Sequence, residues 1–227
     1  MWIVVFAAAI LVFAAAALFL IRTWISGNKT PDPDDYVSTT EAQHTTSSAQ
    51  VTEPPLPDNP VDFAALNEEN EDIYAWIRIP GTGVDYPVLQ SREDDLYYLR
   101  RAYDKSYSVS GCIFTQSLNS KDFSDRNTLI YGHYMTDGTF FGSLHNFRDE
   151  DFFNEHEDIY IYTPGHILKY RIFAAYEYDD RHILNSFDFS DDQVYSDYLA
   201  SCLNPKSVNR NVRQGVQLDT DNKIVTL

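Results

Sequence analysis

Hydrophobic positions follow three successive rhythms along this chain of 227 residues. The first is unbroken: Trp2 to Ile21 is apolar and carries no charge. As a helix rising about 1.5 Å per residue it matches a hydrocarbon thickness of roughly 30 Å. No convincing small-residue cleavage pattern stands before Arg22, so residues 1–27 read as an uncleaved signal anchor, with a cleaved signal as the alternative. Arg22 and Lys29 follow the run and no Lys or Arg precedes it, which by charge alone favours the opposite orientation. The next stretch argues for export instead. Residues 28–60 are nearly devoid of large apolar side chains and rich in Pro, Ser, Thr, Asp and Glu. Such a composition buries too little to offset the entropy of ordering, and predicts a disordered, extended acidic stalk.

From Val61 the third rhythm begins, and residues 61–227 read as one domain. Phe63, Leu66 and Ile73 recur at near-helical spacing behind a candidate N-cap, Asp62. The period then shortens. "AWIRIP" and "VDYPVLQ" are strand-like runs separated by "GTG", a turn signal. "DDLYYLRRAY" predicts a short helix over 94–103, and "GCIFT", "NTLIYGH", "DIYIYT", "LKYRIFAAYEY" and "NKIVTL" predict further strands. Two more helices are expected. One is "FFGSLHNF", where Phe140, Phe141, Leu144 and Phe147 share a face; the other is "SDDQVYSDYLASCL", opened by a Ser190-x-x-Gln193 capping box and closed before Pro205. Seven short strands with few helices predict a mostly β barrel or sandwich.

Charge narrows the function. Asp and Glu total 34 against 17 Lys and Arg, a formal net charge of −17. That surface repels nucleic acid and anionic headgroups, so no nucleic-acid partner is expected and any anchoring rests on the apolar run. Aromatic residues make up 15% of the chain, which favours β structure. With only Cys112 and Cys202 a disulfide framework is excluded, although one bridge is not.

Candidate chemistry centres on "LIYGHYMTDGTFFGSLHNF" (Leu129–Phe147). There His133 follows an apolar strand and a glycine, a place where β folds present reactive groups. Imidazole as a group suits general acid or base chemistry, although a packed histidine is the plainer reading of any one such residue. The other histidines show no HExxH and no close pairing, so no metal is expected. A nucleophile is harder to find. Cys202 lies on the apolar stripe of a predicted helix, Cys112 lies on a predicted strand, and no GxSxG occurs. The residues supply a base without an obvious partner.

"NTLIYGHYMTDGTFFGSLHNFRDEDFFNEH" (Asn127–His156) resembles the histidine motif and following helix of class B sortases. The resemblance extends upstream through "WIRIPGTGVDYPVLQ", "DLYYL" and "GCIF". Downstream it runs through "YRIFAAYEY" and the helix from Ser190, covering Phe63 to Leu227. It implies an eight-stranded β-barrel with inserted helices, and a cysteine transpeptidase on the extracellular side of the cell membrane. Such an enzyme cleaves the C-terminal sorting signal of a secreted protein through a thioester. It then passes the acyl group to an amine, usually of peptidoglycan, without metal or organic cofactor.

The family triad is histidine, cysteine and arginine. His133 matches the histidine. "DTDNKIVTL" matches the strand that ends in the family's "TLxTC", so the cysteine and the arginine of the following strand are expected beyond Leu227, and the last barrel strand with them. Residues 1–227 alone are accordingly expected to expose a sheet edge and to lack transpeptidase activity. Tyr131 and Leu99 match positions lining the family's substrate groove; Asp95 stands where many members have asparagine, and Gln116 where an aspartate is frequent. The "YDDRHIL" loop adds to that groove without a residue-by-residue match. Two alternatives remain at this point: a non-catalytic barrel that binds peptides or wall glycans, and a transpeptidase that polymerises pilins.

Overall fold

The computed structural model describes residues 30–37 and 59–227. The apolar run Trp2–Ile21 and the greater part of the expected stalk lie outside the described residues. Among the described residues no helix is long and apolar enough to cross a membrane.

Strand β1 (Ile73–Arg78) lies at the centre because both of its faces are apolar. Trp76 and Ile77, on opposite faces, are completely buried in two different hydrophobic clusters. It pairs antiparallel with β2 (Asp85–Leu89) on one side and β5 (Asp158–Thr163) on the other. The turn into β2 uses Gly81 at a φ of 83°, where a Cβ would be strained. Outside these, β3 (Ile113–Phe114) runs parallel to β2, and β6 (His166–Arg171) antiparallel to β5, giving a sheet ordered β3–β2–β1–β5–β6.

A second ladder joins β4 (Asn127–Leu129) in parallel with β9 (Ile224–Thr226). The bridge between Phe114 and Tyr131 ties this pair to β3. Seven strands therefore succeed one another, β9–β4–β3–β2–β1–β5–β6. Their ends do not meet. An open groove of about 460 Å³, lined by Tyr170 of β6, Ile172 just beyond it, and Ile224 and Val225 of β9, separates them. Among the described residues the ring is thus incomplete, and the closed barrel that the resemblance implied is not formed.

The expected long strand "LKYRIFAAYEY" is two strands in two sheets. After β6, the Arg213 guanidinium receives its partners from the main chain, donating to the carbonyl of Ile172 at 2.8 Å, while its own N–H bonds Phe173 O. The chain is thereby drawn out of the first sheet, and β7 (Ala174–Tyr176) pairs instead with β8 (Arg210–Val212). Nothing in the alternation around 210–212 had pointed to β8.

Local signals decide the helices, with shifted ends. Asp62 caps Phe63–Glu69 by accepting from Ala65 N, as predicted, but the helix stops at Asn70 because Ile73 already belongs to β1. The expected helix at 94–103 contracts to a 3₁₀ turn, Tyr97–Arg100, as the Tyr98 hydroxyl is drawn to Asp72 Oδ2 at 2.7 Å. "FFGSLHNF" also forms a 3₁₀ segment (Gly142–Arg148), followed by a helix at Glu150–Glu155 that the pattern had not separated. The helix Asp192–Leu203 buries Tyr195, Tyr198, Leu199 and Cys202. Its cap is Asp191, whose carboxylate accepts from Gln193 N and Val194 N; Ser190 bonds Asp188 instead, so the predicted capping box is displaced by one residue.

The stalk expectation is corrected where it is described. Pro33–Tyr36 is a short helix capped by Asp32, and Val37 pairs with Val61 and is buried against Phe63 and Leu66. Asn59 donates to Thr163 O at 2.8 Å. Val37 and Tyr36 pack on the domain, and Asp62 N donates to Tyr36 O at 2.8 Å, despite the polar neighbours.

Replacing Asp191 with Ala should lower stability by about 1 kcal/mol, the usual cost of a lost cap. Ser190→Ala should cost less than about half of that. Urea denaturation of the two variants distinguishes the caps, and equal losses would reinstate Ser190.

Candidate active site

Strand β4 and its continuation carry the histidine motif. On one edge, Ile130 N donates to Thr226 O at 2.9 Å; on the other, Tyr131 and Phe114 exchange both main-chain hydrogen bonds, at 2.7 and 2.9 Å. Gly132 then passes through a gap in which a Cβ would stand 2.4 Å from Ile113 Cδ1 and 2.8 Å from Phe141 Cδ2. The next carbonyl, that of His133, accepts from Phe141 N at 3.1 Å. The main chain at His133 is held on both sides.

The loop beyond it turns back tightly. Asp137 accepts from Thr139 N and Oγ1, and Phe140 adopts a φ of 50° while buried and stacked on Tyr86 at 5.0 Å. The energy of that stacked, buried ring offsets a left-handed conformation that a non-glycine residue seldom adopts. His133 itself is half-buried, and among the described residues its ring has no hydrogen-bond partner. The imidazole is therefore available to a group outside this fold.

Two residues earlier, the Tyr131 ring stacks on Phe114, with centroids 5.5 Å apart. Its hydroxyl donates to Gln116 Oε1 at 3.3 Å and lies 3.5 Å from His182 Nε2. Burial raises its pKa above the phenol value, with the nearby Asp95 carboxylate adding to the effect. Asp95 accepts from Ser117 N at 2.7 Å, so one of its oxygens holds the loop after β3. Leu99 is 36% exposed at the end of the 3₁₀ turn that packs on β3. Tyr131, Asp95 and the loop at Gln116 are brought together, two residues from His133.

His182 was missed as a site residue. It lies in the "YDDRHIL" loop, bonds Gln116 Oε1 at 2.6 Å, and is 66 positions away from it in sequence. Only the tertiary fold makes that pair. The other described histidines stand apart: His145 and His166 are exposed, and His156 bonds Phe152 O and stacks on Phe152.

Both cysteines are free thiols and buried. Cys112 shares a cluster with Trp76, Tyr98 and Phe114, and its Sγ–H donates to Arg101 O at 3.2 Å. Burial pushes its pKa well up, as it does for Cys202 among Tyr195, Tyr198 and Leu199. A protonated, enclosed thiol is a poor nucleophile. The packing role anticipated for each fits these surroundings.

Set beside known proteins, residues 77–217 match the family model of the sortase domain. Sortase B of Listeria monocytogenes is 34% identical over 164 residues, which are 71% of this chain and 64% of the relative. Sortase B of Staphylococcus aureus is 28% identical, with coverages of 73% and 66%. The chain thus spans slightly less than two thirds of the length of these two relatives. The crystal structure of Clostridium perfringens sortase B superposes with a TM-score of 0.63 at 32% identity, covering 72% of this chain and 88% of that one.

Gly132→Ala should destabilise by about 1–3 kcal/mol, since Ile113 and Phe141 must both move for the methyl group. A thermal melt tests this, and an unchanged midpoint would show that the gap is roomier than drawn. The upward shifts of Cys112, Tyr74 and Tyr98 make a second expectation. The folded chain holds these protons more tightly than the unfolded chain. Their contribution is complete below the ordinary thiol value of 9.0 and is lost as pH rises above it. Urea midpoints measured from pH 8 to 10.5 should fall steadily, and a flat profile would contradict the burial of these groups.

Proposed function

The chain belongs to the sortase family, and from that premise we propose that it is the catalytic domain of a class B cysteine transpeptidase. Its donors are secreted proteins carrying a C-terminal sorting signal, and its acceptor is an amine of the cell wall. The observation that carries the reading is the His133 imidazole, without a hydrogen-bond partner among the described residues, at the end of a strand held on both edges. The enclosed Cys112 and Cys202 do not supply the thiol. We place it beside His133, at the end towards which β9 runs. In the parallel register Leu129 faces Thr226 and Ile130 N bonds Thr226 O, so β9 runs in the direction of His133. A cysteine there, and an arginine on a further strand, complete the triad in this proposal. That further strand fills the groove between β6 and β9.

The steps follow from the groups. A thiolate opposite protonated His133 attacks the peptide carbonyl, because the thiolate is the reactive form. The arginine, always charged, stabilises the oxyanion. His133 gives its proton to the leaving amine as the carbon–nitrogen bond breaks, leaving a thioester. The acceptor amine then attacks, His133 takes up its proton, and the thiolate is released. Asp95, Leu99 and Tyr131 line the groove that holds the peptide. Trp2–Ile21 holds the domain at the outer face of the cell membrane, an arrangement supported by the length and apolarity of that run.

The test uses the complete gene product, a pool of randomised peptides and glycine amide as the acceptor, with transfer followed by mass spectrometry. His133→Ala should reduce transfer by about 10²–10⁴-fold without loss of fold. Full activity in that variant would assign His133 to packing alone.

A further inference from the structure

Gln116 is 8% exposed, and its place is fixed from behind: Gln90 Nε2 donates to its main-chain oxygen at 2.9 Å. Its side-chain oxygen is also engaged, by His182 Nε2 at 2.6 Å and the Tyr131 hydroxyl at 3.3 Å. Which end of the carboxamide faces His182 follows from a third bond. Asn185 N, a main-chain donor, points at His182 Nδ1 at 3.3 Å as the histidine caps the short helix Ile183–Ser186. A peptide N–H only donates, so Nδ1 keeps its lone pair and the proton of the neutral ring sits on Nε2. Nε2–H therefore requires the oxygen of Gln116, and the NH₂ group points away.

That NH₂ has no partner among the described residues. Every fully buried side-chain polar atom described does have one, so the NH₂ must open to solvent. A side chain more than nine-tenths buried, anchored at two oxygens, thus presents one free donor at the surface beside Tyr131. A donor already oriented by these bonds and facing solvent can take an acceptor from a ligand with little further ordering cost. A negative charge adjoins this surface: Asp95 holds the loop after β3 through Ser117 N and bears on Tyr131. A carboxylate brought to the donor would be repelled, whereas a neutral oxygen would not.

We propose that Gln116, oriented by His182, is a specificity-determining residue that donates a hydrogen bond to an uncharged side-chain acceptor, a carboxamide or hydroxyl oxygen, of the bound peptide. This rests on the peptide-transfer reading above. It gives the 179–187 loop a role in selection through His182 without assigning that histidine to the chemical step.

The variant Gln116→Glu keeps an oxygen for His182 and Tyr131 and replaces the donor with a second oxygen. Rates of the complete gene product on a pool of randomised peptides, with glycine amide as the acceptor, give kcat/KM for each residue type at each position. At one peptide position the variant should lose about tenfold on acceptor-bearing side chains and gain on lysine, with the other positions unchanged. An equal loss at every position, or no change at any, overturns the proposal while leaving the transpeptidase reading intact. If the unaltered protein transfers no peptide, both fall. Independently of activity, long-range ¹H–¹⁵N spectra of His182 should show a proton on Nε2 alone. A proton on Nδ1 would reverse Gln116 and end the proposal.

Discussion

The hydrogen bonding of Ile130 and Tyr131 to strands on both sides is the constraint on which the site depends. β9 supplies one edge through Thr226, and β3 supplies the other through Phe114. A histidine at the free end of a strand would sweep a wide arc, but a strand bonded along both edges offers its successor little freedom. Gly132 adds a steric limit, since Ile113 and Phe141 leave no room for a Cβ. His133 is thereby presented at a fixed point, and its ring has no hydrogen-bond partner among the described residues.

The same two bonds decide the architecture. Without the Phe114–Tyr131 bridge, the five-stranded sheet and the β4–β9 pair would be separate. With it, seven strands succeed one another and the two clusters on either side of β1 gain a wall. Tyr131 belongs to that wall as well as to the site: its ring packs with Phe114 in one cluster and borders the cluster of Tyr195 and Leu199. Removing the ring would therefore disturb packing as well as the polar group beside His133. Groove residues of this kind cannot be divided cleanly into structural and functional.

Much of the fold was legible because its elements announce themselves locally. β1, β2 and β5 have apolar runs bounded by turn residues, and the helix Phe63–Glu69 has its cap in Asp62. Boundaries were less so. The helical pattern from Asp94 was overridden when Tyr98 was drawn into the buried bonds of Asp72 and Asn70. The strand run at 168–178 was divided by Arg213, a residue more than thirty positions away that no local pattern connects to it.

By itself the sequence determined a mostly β domain, an acidic surface unsuited to nucleic acid, a strand ending in glycine and histidine, and two cysteines placed where packing uses them. Each of these depends on composition or on neighbours within a few residues, where the physics of period, charge and capping operates. Only the tertiary structure decided that Tyr131, Asp95, Gln116 and His182 meet, that the His133 ring finds no partner among the described residues, and that the donor of one buried carboxamide faces outward. Those facts depend on hydrogen bonds between residues up to 66 positions apart. Their geometry is set by strand register and loop path, which local pattern does not encode.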